Sequence, residues 1–532
     1  MHHTIHGGLT FMALALASGA TATQPPPPPS PYASIGHQQQ LVDAGTLNSV
    51  QLTQLFTTRI QQLDRAGPTL RAVIEINPDA AALAAALDAA RASTPSRSAL
   101  YGMPVLLKDN IDTADRMHTT AGSLALTAAP APRDAALVTR LRAAGAVILG
   151  KTNLTEWANF RSTRASSGWS GRGGQTHNPY VLDRSSCGSS SGSGAAVAAG
   201  LAVAAIGTET DGSIICPAAM NGIVGIKPTL GLVSRSGIVP ISHSQDTAGP
   251  MARSVADAAA LLTVIAGSDP RDPATRDADT HATDYTRYLD ATALRGKRIG
   301  VVRELAGYRK DVDQILARSI ATLRAAGAVV IDPVVVPHLN DFSAAEMTVL
   351  LYEFKHDLNA YLETRAGLPV HSLADLIVWN RAHAATEMPW FGQELFEQAQ
   401  AKGPLTDDAY IKALEQSKRL SGPQGIDAAL SANQLDALLA PTQGPAWTID
   451  LVNGDREGHS AYSAAAVAGY PSITVPAGFV HGLPIGMLFF AGKWSEPTLF
   501  AIAYGFEQHT DAWQAPRFFD TAGGRPVPTQ QH

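Results

Sequence analysis

Two polar turns, each carrying serine and glycine, flank one apolar run in the stretch CGSSSGSGAAVAAGLAVAAIGTETDGSIICPAAMNG, from Cys187 to Gly222. The alanine-rich part from Gly192 to about Leu201 predicts a helix, with N-cap oxygens supplied by the serines before it. Residues 202–208 predict a strand. Ten helical residues rise about 15 Å, and five strand residues return about 16 Å. If the two segments run antiparallel, the polar turns meet in space and form a candidate site.

Three kinds of chemistry could use such a pair of turns. A glycine-rich helix start can bind phosphate, but the pattern G-x-x-x-x-G-K-[ST] is absent and the strand follows the helix. The sequence GSSSG matches the nucleophile elbow G-x-S-x-G around Ser190, with His243 and Asp246 as possible partners, yet no strand precedes it directly. The third possibility is a serine from each turn, activated by a lysine.

A serine hydroxyl needs a base to become a good nucleophile. A lysine can act as that base only when it is neutral, which requires burial or a nearby cation. Lys108, Lys151 and Lys227 each end or follow an apolar run. The residue pattern alone does not choose among these three lysines.

The surrounding pattern alternates strands and helices. Helical spacing covers much of residues 40–92, the run PVLLK predicts a strand, and ALVTRLRAAGAVIL predicts a helix that stops at Gly145 before another buried strand. Residues 342–420 indicate further helices with many aromatic side chains. The pattern therefore predicts an α/β fold: a single large domain with a central mixed β-sheet flanked by helices.

Composition excludes several classes of protein. The chain of 532 residues has a net charge of −6 and no long run of like charges, so a nucleic-acid partner is not expected. The longest low-polarity run, residues 194–207, is too short to cross a membrane. Two cysteines, Cys187 and Cys216, cannot build a disulfide scaffold or a cysteine-rich metal site. Their pairing stays open, with two small buried thiols as the favoured interpretation.

The N-terminus indicates export. An apolar stretch from Leu9 to Ala17 is followed by Ala-Thr-Ala, which predicts a signal peptide over residues 1–22 with cleavage after Ala22 and a periplasmic or secreted product. A proline-rich segment then covers residues 23–40. The folded domain is predicted over residues 41–520, with a C-terminal tail over residues 521–532.

Five stretches together resemble the amidase signature family: GMPVLLKDNID, GKTNLTEWANF, CGSSSGSGAAVAAG, GTETDGSIICPAAMNGIVGIKPT and DTAGPMARSVADAA. The likeness extends over about residues 45–510. It implies an α/β fold around a large mixed sheet and hydrolysis of amides by a Ser-cisSer-Lys triad. No cofactor or metal and no obligate partner subunit is implied.

The resemblance assigns roles residue by residue. It implies that Lys108 is the base, that Ser189 relays the proton from a cis peptide bond after Gly188, and that Ser213 is the nucleophile. The backbone N–H groups of Thr210, Asp211, Gly212 and Ser213 would form the oxyanion hole. The chain departs from the family pattern at Glu209, where aspartate is usual, and at Asp211, where glycine is usual. Aspartate tolerates a left-handed conformation, so the turn can survive this replacement.

The motifs TETDGSI and CGSSSGSG are most similar to the peptide amidase branch, whose members convert C-terminal amides of peptides to free acids and ammonia. The expected substrate is therefore a peptide or other small amide. Two alternatives within the family are a broad aryl or fatty acid amide hydrolase, with aromatic side chains of residues 352–396 lining an acyl pocket, and the glutaminase subunit of a tRNA-dependent amidotransferase. A binding protein that has kept the fold without activity is a further alternative.

Overall fold

The computed structural model describes residues 1–4 and 30–529. Residues 5–22 of the predicted signal peptide and residues 23–29 of the predicted proline-rich segment lie outside these residues. In the described part, the strands are β1 (Val73–Ile76), β2 (Pro104–Lys108), β3 (Val147–Thr152), β4 (Trp169–Ser170), β5 (Gly174–Gln175), β6 (Ala204–Glu209), β7 (Val224–Lys227), β8 (Thr247–Ala252), β9 (Arg298–Val301), β10 (Val329–Ile331), β11 (Ala437–Pro441), β12 (Ser472–Val480) and β13 (Leu483–Phe490).

The α-helices of the same residues are α1 (Ile35–Asp43), α2 (Ser49–Arg59), α3 (Ala80–Ala90), α4 (Ala136–Ala143), α5 (Ser191–Ala198), α6 (Ile215–Met220), α7 (Val255–Ile265), α8 (Ala278–His281), α9 (Lys310–Ala325), α10 (Ser343–Glu363), α11 (Leu373–Ala382), α12 (Ala384–Glu387), α13 (Glu394–Gln400), α14 (Asp408–Ser421), α15 (Asp427–Asn433), α16 (Ser463–Ala468) and α17 (Glu496–Gln508). No helix among the described residues is long and apolar enough to cross a membrane.

Eleven strands form one mixed sheet in the order β1-β3-β2-β6-β8-β7-β12-β13-β11-β9-β10, and β4 pairs with β5 separately. Strands β3, β2 and β6 are parallel neighbours, whereas β8, β7, β12 and β13 pair antiparallel. One large apolar core includes residues from this sheet and the helices around it. The predicted single-domain α/β fold with a central mixed sheet is confirmed.

The segment around the serine-rich turns folds as α5 followed by β6, close to the predicted boundaries. All residues of α5 are buried. Gly192 shows why small residues are needed there, since an added Cβ would lie 2.5 Å from the backbone oxygen of Asn153. A larger side chain at this position would push the helix away from the end of β3.

The aromatic region from α10 to α13 forms a second apolar core. Phe354 and Phe396 are fully buried and stack with ring centroids 5.2 Å apart, and Trp157 packs edge-on against Phe396. These aromatic side chains hold helices together. These three aromatic side chains therefore serve the core and are not free to line an acyl pocket.

Candidate active site

The predicted lysine and first serine are in direct contact. The Lys108 amine lies 2.7 Å from the hydroxyl of Ser189, and both side chains are fully buried. Lys108 ends β2, whereas Ser189 lies in the turn before α5, and the Gly188–Ser189 peptide bond is cis. Because β2 and β6 are parallel neighbours, their carboxyl ends meet at one edge of the sheet. The fold thus brings the lysine of one motif to the serine of another.

Thr208, near the end of β6, orients the lysine amine. The Lys108 Nζ is 2.8 Å from the Thr208 hydroxyl and 3.2 Å from its carbonyl oxygen. The side-chain amide of Asn110 also donates to the Thr208 hydroxyl, at 2.9 Å. A neutral amine has two N–H bonds and one lone pair. With both N–H groups directed at Thr208, the lone pair faces the Ser189 hydroxyl.

Burial lowers the pKa of Lys108 to about 7. The carboxylates of Asp246 and Glu209 oppose this shift, since their negative charges favour the ammonium form. At neutral pH a substantial fraction of the lysine is therefore unprotonated. This is the state that a general base requires.

The second turn, which carries Ser213, is joined to the first by Ser190. The Ser190 hydroxyl donates to the Thr208 carbonyl at 3.1 Å and accepts from the Thr208 N–H at 3.2 Å. The Ser190 N–H donates to the Ser213 carbonyl at 3.2 Å. The two turns therefore meet, as the antiparallel course of α5 and β6 predicts.

Glu209 organises the start of α6. Its carboxylate accepts from the N–H groups of Ile214 and Ile215 at 2.8 and 3.0 Å, and it also attracts the Gly212 N–H. Burial raises the pKa of Glu209, and the nearby Lys227 ammonium counteracts that shift. The glutamate that departs from the family pattern thus holds the backbone of the Ser213 turn.

Backbone N–H groups in this turn are available for a ligand. Among the described residues, those of Thr210, Asp211 and Ser213 have no hydrogen-bond acceptor. Gly212 carries the left-handed conformation of the turn, with φ of 78°, and a Cβ added there would collide with the Tyr462 ring. Asp211 does not adopt a positive φ, so the glycine-to-aspartate departure requires no left-handed aspartate.

The two cysteines form a disulfide, with a Cα–Cα distance of 6.0 Å. The favoured interpretation as two free thiols is wrong. Cys187 lies just before the Ser189 turn, and Cys216 lies in α6 just after the Ser213 turn. The pairing follows from the meeting of the two turns, which the sequence predicts without fixing the distance between the cysteines.

A cavity of about 600 Å³ opens over the two turns. It is lined by Ser213 with Thr210 and Asp211 of its turn, by Gly188 and Cys187 of the first turn, and by other residues that include Phe160, Glu346, Met347, Leu350, Asp455, Glu457 and Tyr462. Ser189 and Lys108 lie behind this surface, fully buried. A bound molecule therefore contacts the Ser213 turn, while the lysine stays out of water.

The structure separates these residues from the alternatives. Ser190 is fully buried and bonded to the backbone of Thr208, whereas His243 pairs with Asp357 at 2.9 Å, so the elbow triad of Ser190, His243 and Asp246 is not assembled. The amine of Lys151 donates to the carbonyl of Ile111 and to the hydroxyl of Thr119, and that of Lys227 donates to Pro228.

Two supporting residues, Thr208 and Asn110, were missed by the sequence reasoning, and Asp246 was named only as a possible partner in the elbow triad. Thr208 and Asn110 orient the Lys108 amine, and Asp246 accepts from the Thr210 hydroxyl at 2.5 Å. Thr208 could have been found, because it lies next to the end of β6. This strand runs parallel to β2, which ends at Lys108. Asp246 gives no local signal for contact with a turn 36 residues earlier.

Comparisons with known proteins identify the family of this chain. A family model described as Amidase matches residues 51–500. The chain belongs to the amidase signature family. A probable amidase from Arabidopsis thaliana is 43% identical over 482 residues, which are 89% of each chain. The solved structure of native peptide amidase from Stenotrophomonas maltophilia is 56% identical, with a TM-score of 0.87 over 91% of this chain and 98% of that one.

A more distant relative represents one of the alternatives. A glutamyl-tRNA(Gln) amidotransferase component from Pseudomonas syringae is 36% identical over 482 residues, which are 89% of this chain and 96% of the relative. The amidase signature enzyme described here is thus a hydrolase acting on amide C–N bonds, structurally close to peptide amidase.

Proposed function

We propose that this enzyme is a serine amidohydrolase that converts the C-terminal amide of peptides to the free acid and ammonia. The observation that carries the proposal is the 2.7 Å contact between the buried Lys108 amine and Ser189, at the point where two serine turns meet under an open cavity. The similarity to peptide amidase, at 56% identity, supports the substrate class.

In the proposed mechanism, neutral Lys108 accepts the proton of Ser189, which accepts the proton of Ser213. The Ser213 oxygen then bonds to the amide carbonyl carbon, and the negative charge on the carbonyl oxygen is held by the free N–H groups of Thr210 and Asp211. One such donor typically contributes about 3 kcal/mol to the transition state.

Collapse of this intermediate breaks the C–N bond. The relay returns its proton to the leaving nitrogen, so ammonia departs and the acyl group stays on Ser213. Water then attacks the ester carbonyl carbon and gives a proton to the same relay. The relay returns that proton to the Ser213 oxygen as the ester C–O bond breaks, and the carboxylic acid is released. The burial of Lys108 favours the neutral amine at the start of each half-reaction.

The two alternatives within the family are less well supported. An aryl or fatty acid amide hydrolase needs an extensive apolar acyl pocket, but none of the aromatic residues from α10 to α13 is among the described residues that line the cavity. A glutaminase role is supported only at lower identity, since the amidotransferase relative is 36% identical and peptide amidase is 56% identical.

Mass spectrometry of a short C-terminally amidated peptide tests the proposal. Wild type should add about 1 Da by converting the amide to the acid, with internal peptide bonds intact. Ser213→Ala should produce no acid. Turnover of glutamine, an anilide or a fatty amide in place of the peptide amide would reject peptide amides as the substrate class.

We also propose that the protein is exported. The disulfide between Cys187 and Cys216 supports this, because disulfides persist in oxidising compartments and are rare in the cytosol. N-terminal sequencing of protein from the periplasm or the medium should begin at Thr23, after cleavage behind Ala22. Protein that retains Met1 and stays in the cytosol would contradict export.

A further inference from the structure

The cavity over Ser213 has acidic walls. Four of the described residues that line it carry carboxyl groups: Asp211, Glu346, Asp455 and Glu457. No lysine, arginine or histidine is found among its described lining residues. A substrate that reaches the nucleophile therefore meets ionisable groups of one sign only.

Asp211 and Glu346 form the inner part of this wall. Gln245 donates to one oxygen of Glu346 at 2.9 Å. The Oδ1 atom of Asp211 is buried and has no hydrogen-bond partner among the described residues. Burial raises the pKa of Asp211 well above its usual value, and the neighbouring Glu346 raises it further. A buried acceptor without a partner, in a cavity that holds a nucleophile, is suited to a donor brought by the substrate.

Glu457 and Asp455 form the outer part. Asp455 accepts from the Trp447 ring N–H and the Ser167 N–H, both at 2.9 Å, which fixes it in place. Glu457 is exposed at the cavity, and partial burial of its carboxyl group raises its pKa to about 7, with a further contribution from the charge of Asp455. Glu457 thus faces the cavity beside another acid, with no cation among the described lining residues to balance it.

The one ammonium that lowers the pKa of Glu346 is that of Lys418. This amine donates to the carbonyl oxygens of Ser244 and Val467 at 2.6 and 2.7 Å, and Lys418 does not line the cavity. It is therefore held behind the wall, and no cation lies on the cavity side of Glu346 among the described lining residues.

We infer that the acidic wall selects peptide amides that carry a lysine or arginine side chain within the last two residues before the carboxamide nitrogen. The inference rests on the proposed function and names a substrate class for it. A cavity of about 600 Å³ can hold only a few residues. A cationic side chain there stabilises the ionised form of these carboxyl groups, whose pKa values the folded protein raises, whereas an acidic side chain is repelled.

Matched substrates test this inference. We would compare kcat/KM for Ac-X-Leu-NH2 and Ac-Leu-X-NH2, where X is lysine, norleucine or glutamate, because norleucine keeps the aliphatic chain of lysine without its charge. At one position or both, lysine should exceed norleucine by about fivefold, the size of one partly exposed ion pair. Glutamate should fall below norleucine at the same position.

Variants locate the effect. Glu346→Gln and Glu457→Gln should each reduce the ratio of lysine to norleucine, and the double variant should bring it close to one. Glu363→Gln is the matched control, since Glu363 is exposed on the same helix, α10, about 25 Å further along. It removes the same charge from the protein and should leave the ratio as in wild type.

The outcomes separate this inference from the proposed function. Hydrolysis of all the peptide amides with equal kcat/KM for lysine and norleucine would overturn the selectivity and leave the peptide amidase activity standing. A preference that persists in the double variant would also overturn it. Absence of hydrolysis for every peptide amide, with turnover of another amide, would overturn both.

Discussion

Lys108 is the residue on which the chemistry depends, and its protonation gives a pH dependence. Burial holds its pKa near 7, and only the neutral amine can accept the proton of Ser189. We therefore predict that kcat/KM for a neutral peptide amide rises with pH through about 7 and then levels off. The sign follows from the role, because the base works in its deprotonated form.

Two variants isolate that titration. Glu457→Gln should keep the rising limb, although Glu457 also has a pKa of about 7. The residual rate of Lys108→Ala should lack this rising limb of the pH profile. A wild-type profile that is flat or falls between about pH 5 and pH 9 would contradict the role of Lys108.

Thr208 is predicted to act as a positioning residue. Thr208→Val keeps the shape but removes the hydroxyl that receives the Lys108 amine at 2.8 Å. We expect kcat to fall by about 10- to 100-fold with little change in KM, as for the loss of a hydrogen bond to a catalytic base. Thr208→Ser should recover most of the rate. A fully active valine variant would show that the carbonyl of Thr208 alone orients the amine.

Ser190 should matter for stability more than for catalysis. Its hydroxyl satisfies both the N–H and the carbonyl of Thr208, so Ser190→Ala should lower the free energy of unfolding by about 1–3 kcal/mol. Activity should be largely retained, in contrast to Ser213→Ala. Urea unfolding and kcat/KM together check this. A folded but inactive Ser190→Ala beside an active Ser213→Ala would reverse the assignment of the nucleophile.

At the scale of elements, α5 and β6 position the site by bringing two turns together, and the disulfide spans those turns. It closes a loop of 29 residues, for which chain entropy gives about 3–4 kcal/mol. The double variant Cys187→Ala/Cys216→Ala should therefore unfold at lower urea concentration than wild type. Reductant should shift wild type toward the variant and leave the variant unchanged. An unchanged midpoint, with both thiols released by titration, would show that the turns are held without the bond.

At the scale of the whole molecule, local sequence patterns predicted individual helices and strands, but they did not predict which distant segments come into contact. The helix and strand of residues 191–209 follow from alanine propensity and apolar run length, which act within a few residues. The residues alone left Lys108, Lys151 and Lys227 equivalent; the family resemblance favoured Lys108. Their difference depends on which strand ends beside β6, a property of sheet order that no local pattern encodes.

The acidic wall could not be predicted from the sequence either, because it also depends on contacts between distant segments. Glu346 belongs to α10, Glu457 to the segment before α16, and Asp211 to the Ser213 turn. These three positions are far apart along the chain and meet at one cavity only in the folded protein. The sequence does show the aromatic residues of this region, and Phe354 and Phe396 among them pack in a separate apolar core.

The central claim is that Ser213 carries the acyl group, and trapping that intermediate tests it most directly. Wild type mixed with a peptide amide and quenched in acid within the first turnovers should show an intact mass raised by the acyl portion of the substrate. Peptide mapping should place the added mass on Ser213, and Ser213→Ala should show none. An adduct on Ser190, or full turnover by Ser213→Ala, would contradict the account.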